Sequence, residues 1–130
     1  MKRLRGEVVS GYGNFSYWIE KLSSFYKKKT GMVLFPGTLN IKLKEPYDLP
    51  SDSIRLEREE YGGEVSVSLQ ECRIFNRRAF ILRTDKNASG QGGHPRTIIE
   101  IATDVKLRDT YNLKDGDVVE VQVQFMKEEE

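Results

Sequence analysis

Residues 38–44 read "TLNIKLK", with Leu39, Ile41 and Leu43 alternating against Thr38, Asn40 and Lys42. A period of two predicts a strand with one face buried. Similar runs predict strands at residues 3–10, 54–59, 64–75, 78–84 and 97–102, and a last strand carrying Val119, Val121, Val123 and Phe125 on one face. The period changes between the first two strands. Phe15, Trp18, Ile19, Leu22, Phe25 and Tyr26 recur at helical spacing and predict one amphipathic helix. Asn14 or Ser16 suits its start and Gly31 the position past its end. Lys27, Lys28 and Lys29 then sit in its last turn, in favourable contact with the dipole. A second, shorter helix is predicted over residues 105–111.

Between these elements lie turn signals. Pro36-Gly37 marks one turn, and residues 45–53 form a loop with two prolines. Residues 61–64 ("YGGE") predict a hairpin connection, Asn76-Arg77 a second, and Asp115-Gly116 a third tight turn. Residues 85–95, "DKNASGQGGHP", are too long for a hairpin turn and predict a mobile loop or lid.

Six to eight short strands with one longer and one short helix predict a mainly β fold. A small closed barrel is favoured, because closure removes the edges that short strands otherwise expose. No internal repeat is present. Residues 1–126 are expected to form a single domain and residues 127–130 a frayed acidic tail.

Composition narrows the classes. The chain has 130 residues, 21 basic and 20 acidic, for a net charge of +1. That balance gives no support to general nucleic-acid binding. The single cysteine, Cys72, forms no internal disulfide and supplies no zinc cluster, so a reducing, cytoplasmic setting is expected. The basic start, Met1 to Arg5, leads into a strand-like run rather than a signal peptide's apolar segment. No apolar stretch approaches the roughly 20 residues that span a bilayer. The expected partners are small molecules, with no nucleic acid and no membrane, and a monomer is expected.

Several residues carry candidate chemistry. Gly11-Tyr12-Gly13 lies between a strand and a helix, where backbone N–H groups can approach an anion, although an ordinary turn has the same sequence. Thr38 and Asn40 project from one face and offer a hydroxyl and an amide carbonyl. They either form a polar outer face or hold magnesium jointly with a nucleotide's phosphates. Glu100, in "TIIEIAT", shares a face with Ile98 and Ala102, so it is either an exposed edge residue or a cleft carboxylate with a partner. Lys106 and Arg108 are solvated helix charges or close over a phosphate or base. His94 is placed in a loop, and Cys72 is read as a small buried hydrophobe. No general base is evident.

In order, "GEVVSGYGNFSYW", "PGTLNIKL", "HPRTIIEIAT" and "VKLRDTYNLKDGDVVEVQV" resemble the archaeal-type CTP-dependent riboflavin kinases. The resemblance covers nearly the whole chain and is weakest over residues 47–89. It implies a six-stranded barrel of the cradle-loop type. It implies transfer of the γ-phosphate of CTP to the terminal ribityl hydroxyl of riboflavin, giving FMN and CDP. Matched residue by residue, Gly11, Tyr12, Gly13, Asn14, Phe15 and Ser16 would wrap the nucleotide, and Val105, Lys106, Leu107 and Arg108 would hold its cytidine end. Thr38 and Asn40 would coordinate Mg2+. Glu100, Gly92 and Thr97 fall on the flavin side. Gly92 stands where the family tends to have threonine, and Thr97, Ser89 or Thr84 can supply a hydroxyl instead. Thr103-Asp104 replaces the family's Ala-Pro pair. Two other readings fit this design: a non-catalytic barrel that binds nucleotide, flavin or DNA, and a kinase acting on another small alcohol.

Overall fold

A computed structural model describes residues 1–11 and 15–124. Seven strands lie among them: β1 (Lys2–Val9), β2 (Leu39–Leu43), β3 (Ile54–Leu56), β4 (Val67–Ile74), β5 (Arg77–Thr84), β6 (Ile98–Ala102) and β7 (Val118–Val123). Every pairing is antiparallel. Six strands close into a barrel in the order β4-β5-β6-β2-β1-β7, with β7 returning to β4. The seventh, β3, adds to β4 at Val67, Ser68 and Leu69, while β7 pairs further along at Cys72, Arg73 and Ile74.

Alternation sorts the side chains into two cores. Inside the barrel pack Val8, Ile41, Ile74, Ile81, Ile99, Ile101 and Val121, all essentially inaccessible to solvent. Outside it, Val67, Leu69, Phe80 and Leu82 are covered by Phe15, Ile19, Leu22 and Tyr26. The interior is filled by packed side chains, so any ligand site lies at a mouth or on the outer wall.

The structure departs from the sequence reading in four places. The expected single helix is two, α1 (Phe15–Lys21) and α2 (Ser23–Thr30). Leu22 between them has φ −105° and ψ 28°, while hydrogen bonds from Leu22 N–H to Trp18 and from Tyr26 N–H to Leu22 continue the ladder. The bend lets one apolar stripe follow a curved wall. Gly31 takes the left-handed position past the end, as expected. Residues 61–64 do lie in the connection of the antiparallel pair β3 and β4, but that connection is longer than expected and holds a short helix α3 (Arg58–Tyr61), started by Glu57 N–H donating to Glu60 Oε2 and ended by Gly62 at φ 71°. The β4–β5 turn centres on Phe75 and Asn76, at φ 53° and 60°, one position earlier than Asn76-Arg77. Right-handed strand twist demands positive φ at both central residues of such a turn.

Fourth, the segment 85–95 is organised. It opens with α4 (Asp85–Ala88), capped by Thr84, whose Oγ1 accepts from Asn87 N–H. Lys86 O then accepts from the N–H groups of Gln91 and Gly92. The short helix expected over 105–111 is α5 (Leu107–Thr110). Phe125 and the tail lie outside the described residues. Among the described residues no helix is long and apolar enough to cross a membrane.

Candidate functional site

Glu100 sits in the middle of β6. Its neighbours Ile99 and Ile101 fill the barrel, so its own side chain points to the outer wall. It pairs across the sheet with Asn40 on β2 and with Leu82 on β5. β6 is therefore an inner strand, and an exposed edge position for Glu100 is excluded. The residue is only 3% exposed. Thr38 Oγ1 donates to Glu100 Oε1 at 3.2 Å, and His94 Nδ1 lies 2.9 Å from Oε2. Burial pushes the Glu100 carboxyl above its ordinary value, against the opposing pull of His94, Thr38 and Arg83.

His94 reaches Glu100 because the loop that carries it is fastened at both ends. Its backbone N–H donates to Asn87 Oδ1 at 3.3 Å, which ties it to the capped turn of α4. On the other side Arg83, buried on β5, donates to the carbonyls of Tyr47, Arg96 (3.2 Å) and Ile98 (3.0 Å). Burial holds this guanidinium below its ordinary pKa. A planar fork is the side chain that can hold several carbonyls at once.

Two concavities flank the Thr38–Glu100 bond. The larger, about 560 Å³, lies between the outer wall and the α1–α2 segment. Phe15, Trp18, Leu22, Tyr26, Tyr61 and Val67 give it apolar walls. Thr84, Asn87, His94 and Glu100 line it with polar groups. The smaller, about 70 Å³, is a notch lined by Thr38 together with Phe35, Gly37 and the 105–108 segment. Thr38 thus faces one concavity while bonded to a carboxylate of the other.

Arg108 connects the notch to the glycine loop. Its guanidinium donates to Ser10 Oγ (2.8 Å), Asp115 Oδ1 (2.6 Å) and Val9 O (3.2 Å). It also holds the Asp115 carboxyl below the ordinary value. Gly11 follows at φ 90° and is exposed. Tyr12, Gly13 and Asn14 lie outside the described residues.

Among the described residues the structure brings several of the candidates together. Thr38, Asn40 and Glu100 form one cluster, Lys106 and Arg108 line the notch beside Thr38, and Arg108 is bonded to Ser10, next to Gly11. Val105 and Leu107 also line the notch. Leu107 is buried in the barrel core with Val105 packed against it, Phe15 lines the larger cavity, and Ser16 is exposed. Thr97 contributes its backbone O to Leu43 N–H. Gly92 packs on Asn87, whose Oδ1 a Cβ there would meet at 1.8 Å. Of the three hydroxyls named as substitutes, Thr84 lines the cavity. Sequence reasoning gave His94 too little weight and missed Asn87. Their contacts cross a loop, and no fixed spacing announces them.

The donor set suits magnesium. A hydroxyl, an amide and a carboxylate are oxygen-bearing groups of the kind a hard divalent cation prefers. Among the described residues no three His, Cys, Asp or Glu side chains converge to cage a metal. A cation here would need oxygens from a phosphate ligand as well.

Comparison with known proteins identifies the family. A family model named CTP-dep_RFKase, described as "Domain of unknown function DUF120", matches residues 8–123. A riboflavin kinase of Methanocella arvoryzae is 34% identical over 127 residues, covering 91% of this chain and 55% of that protein. One of Pyrobaculum aerophilum is 36% identical over 138 residues, covering 93% and 60%. One of Methanococcus vannielii is 29% identical over 134 residues, covering 96% and 99%. The chain thus spans little more than half the length of the first two and nearly all of the third. With the barrel, the "PGTLN" strand and the buried glutamate in register, the chain belongs to the CTP-dependent riboflavin kinase family.

Proposed function

We propose that this protein transfers the γ-phosphate of CTP to the terminal ribityl hydroxyl of riboflavin, producing FMN and CDP. The observation that carries the reading is the Thr38–Glu100 hydrogen bond, which joins a notch to a cavity large enough for a flat tricyclic ring. Donor and acceptor then meet at a single buried point.

Phosphoryl transfer asks a protein chiefly for positioning and charge stabilisation. The aromatic walls of the larger cavity hold the flavin ring and exclude water. Glu100 accepts a hydrogen bond from the terminal hydroxyl and aims its oxygen at the notch. Fixing the attacking oxygen in this way removes much of the entropic barrier. On the donor side the start of the glycine loop and the 105–108 segment hold the nucleotide, with Arg108 bracing Ser10. Thr38 and Asn40 would hold Mg2+, which when bound offsets charge on the β- and γ-phosphates. A loose transition state needs little early deprotonation, so Glu100 acts first as an orienting group. The choice of CTP over ATP falls to base-edge hydrogen bonds, because the triphosphates are identical.

The test incubates the protein with riboflavin, magnesium and each nucleoside triphosphate in turn, with FMN followed chromatographically. FMN is expected with CTP. Its absence with every nucleotide overturns the reading, and equal rates with ATP remove the donor assignment.

A further inference from the structure

The polar lining of the larger cavity contains a group that the transfer reaction does not use. Asn87 stands in α4, with its backbone N–H satisfied by Thr84 and its side chain lining the cavity. The partner of its amide fixes which way the amide faces. His94 offers a backbone N–H, a donor only, so the atom 3.3 Å away must be the amide oxygen. The two N–H donors of Nδ2 therefore turn the other way. Among the described residues they have no hydrogen-bond partner.

Their position relative to the reacting atom follows from the same contacts. Asn87 holds His94, and His94 holds Glu100 at 2.9 Å. Asn87, His94 and Glu100 line one cavity, so the chain of an acceptor whose terminal hydroxyl rests on Glu100 lies in the same space as the Asn87 amide. A polyol chain carries several hydroxyl oxygens along its length. Each can accept from an amide N–H, and a bare hydrocarbon chain cannot.

We propose that Asn87 is a specificity-determining residue that reads the polyol chain of the acceptor through its Nδ2 donors. This rests on the flavin reading above and adds to it the part of the acceptor that is recognised. Gly92 is integral to the device. A Cβ at that position would stand 1.8 Å from Asn87 Oδ1 and 3.0 Å from its backbone nitrogen, and would drive the amide out of place.

The experiment measures dissociation constants by quenching of flavin fluorescence for two ligands. One is riboflavin and the other lumiflavin, which has the same ring with a methyl group in place of the polyol. Three variants are compared with the wild type: Asn87→Asp, which keeps an oxygen for His94 but removes the donors; Asn87→Ala; and Gly92→Ala. Each is checked for an unchanged melting transition. All three are expected to weaken riboflavin about tenfold, the worth of one net hydrogen bond, and to leave lumiflavin within twofold. Parallel weakening of both ligands, or no change in either, overturns the proposal while the flavin reading survives. If the wild type binds neither flavin, the flavin reading falls and the proposal with it.

Discussion

The hydroxyl of Thr38 donates to Oε1 of Glu100 across 3.2 Å, although 62 residues separate the two. The pairing of β2 with β6 is what makes them neighbours, since Asn40 and Glu100 face each other in register. Thr38→Ala and Asn40→Ala are expected to lower FMN formation about 100-fold or more, the usual loss when a group that stabilises developing charge is removed. Thr38→Ala should melt within about 1 kcal/mol of the wild type, because one part-buried hydrogen bond is all it removes. Wild-type turnover in both variants would reject the site.

Arg83 has a different task. Its guanidinium gathers the carbonyls of Tyr47, Arg96 and Ile98, which fixes the segment that delivers His94. Arg83→Met should cost about 2 to 3 kcal/mol by leaving buried carbonyls without donors. Arg83→Lys should recover only part of this, because an ammonium cannot span the same acceptors. Denaturant unfolding reads both, and full recovery by lysine would show that charge alone matters.

The first two strands meet closely at Gly6. A Cβ there would lie 2.4 Å from the carbonyl oxygen of Lys42 on β2 and 2.8 Å from Ile41. Gly6→Ala should therefore destabilise by about 1 to 3 kcal/mol, the range for overpacking a rigid site. Gly93→Ala, with open space around its Cβ, is the control and should stay within about 0.5 kcal/mol. Equal melting of the two would mean that β1 sits further from β2.

The thiol of Cys72 lies in the barrel interior, and burial pushes its pKa from 9.0 up to about 12. The folded value is raised, so the associated stability is complete below pH 9 and is lost as pH climbs towards 12. At pH 8 a disulfide reagent should modify the native protein only as fast as it opens. The unfolded chain should react at the rate of a free thiol. Rapid modification of the folded protein would contradict this placement.

Much of the barrel was legible in the chain. Leu39, Ile41 and Leu43 alternate cleanly because one side of β2 meets hydrocarbon, and Gly31 was readable because a helix end needs positive φ there. Asn40 broke the pattern: it looked like an outward polar residue and is buried, since loops and helices cover the barrel's outer wall. The α1–α2 bend was not readable, because the apolar stripe runs unbroken through Leu22. The Phe75-Asn76 turn was misplaced by one residue, because aromatic side chains rarely take positive φ. Contacts such as His94 with Glu100 depend on a loop path, which local periodicity does not encode.

In β6, hydrocarbon and carboxylate occupy alternate residues: Ile99 and Ile101 plug the barrel, and Glu100 faces outward between them. A chain that misaligned this strand by a single position would bury an acid in oil and offer isoleucine to the ligand. Such molecules would be unstable and silent at once. Intermediate activity in a preparation therefore measures the fraction of correctly aligned copies, and an active-site titration doubles as a census of them.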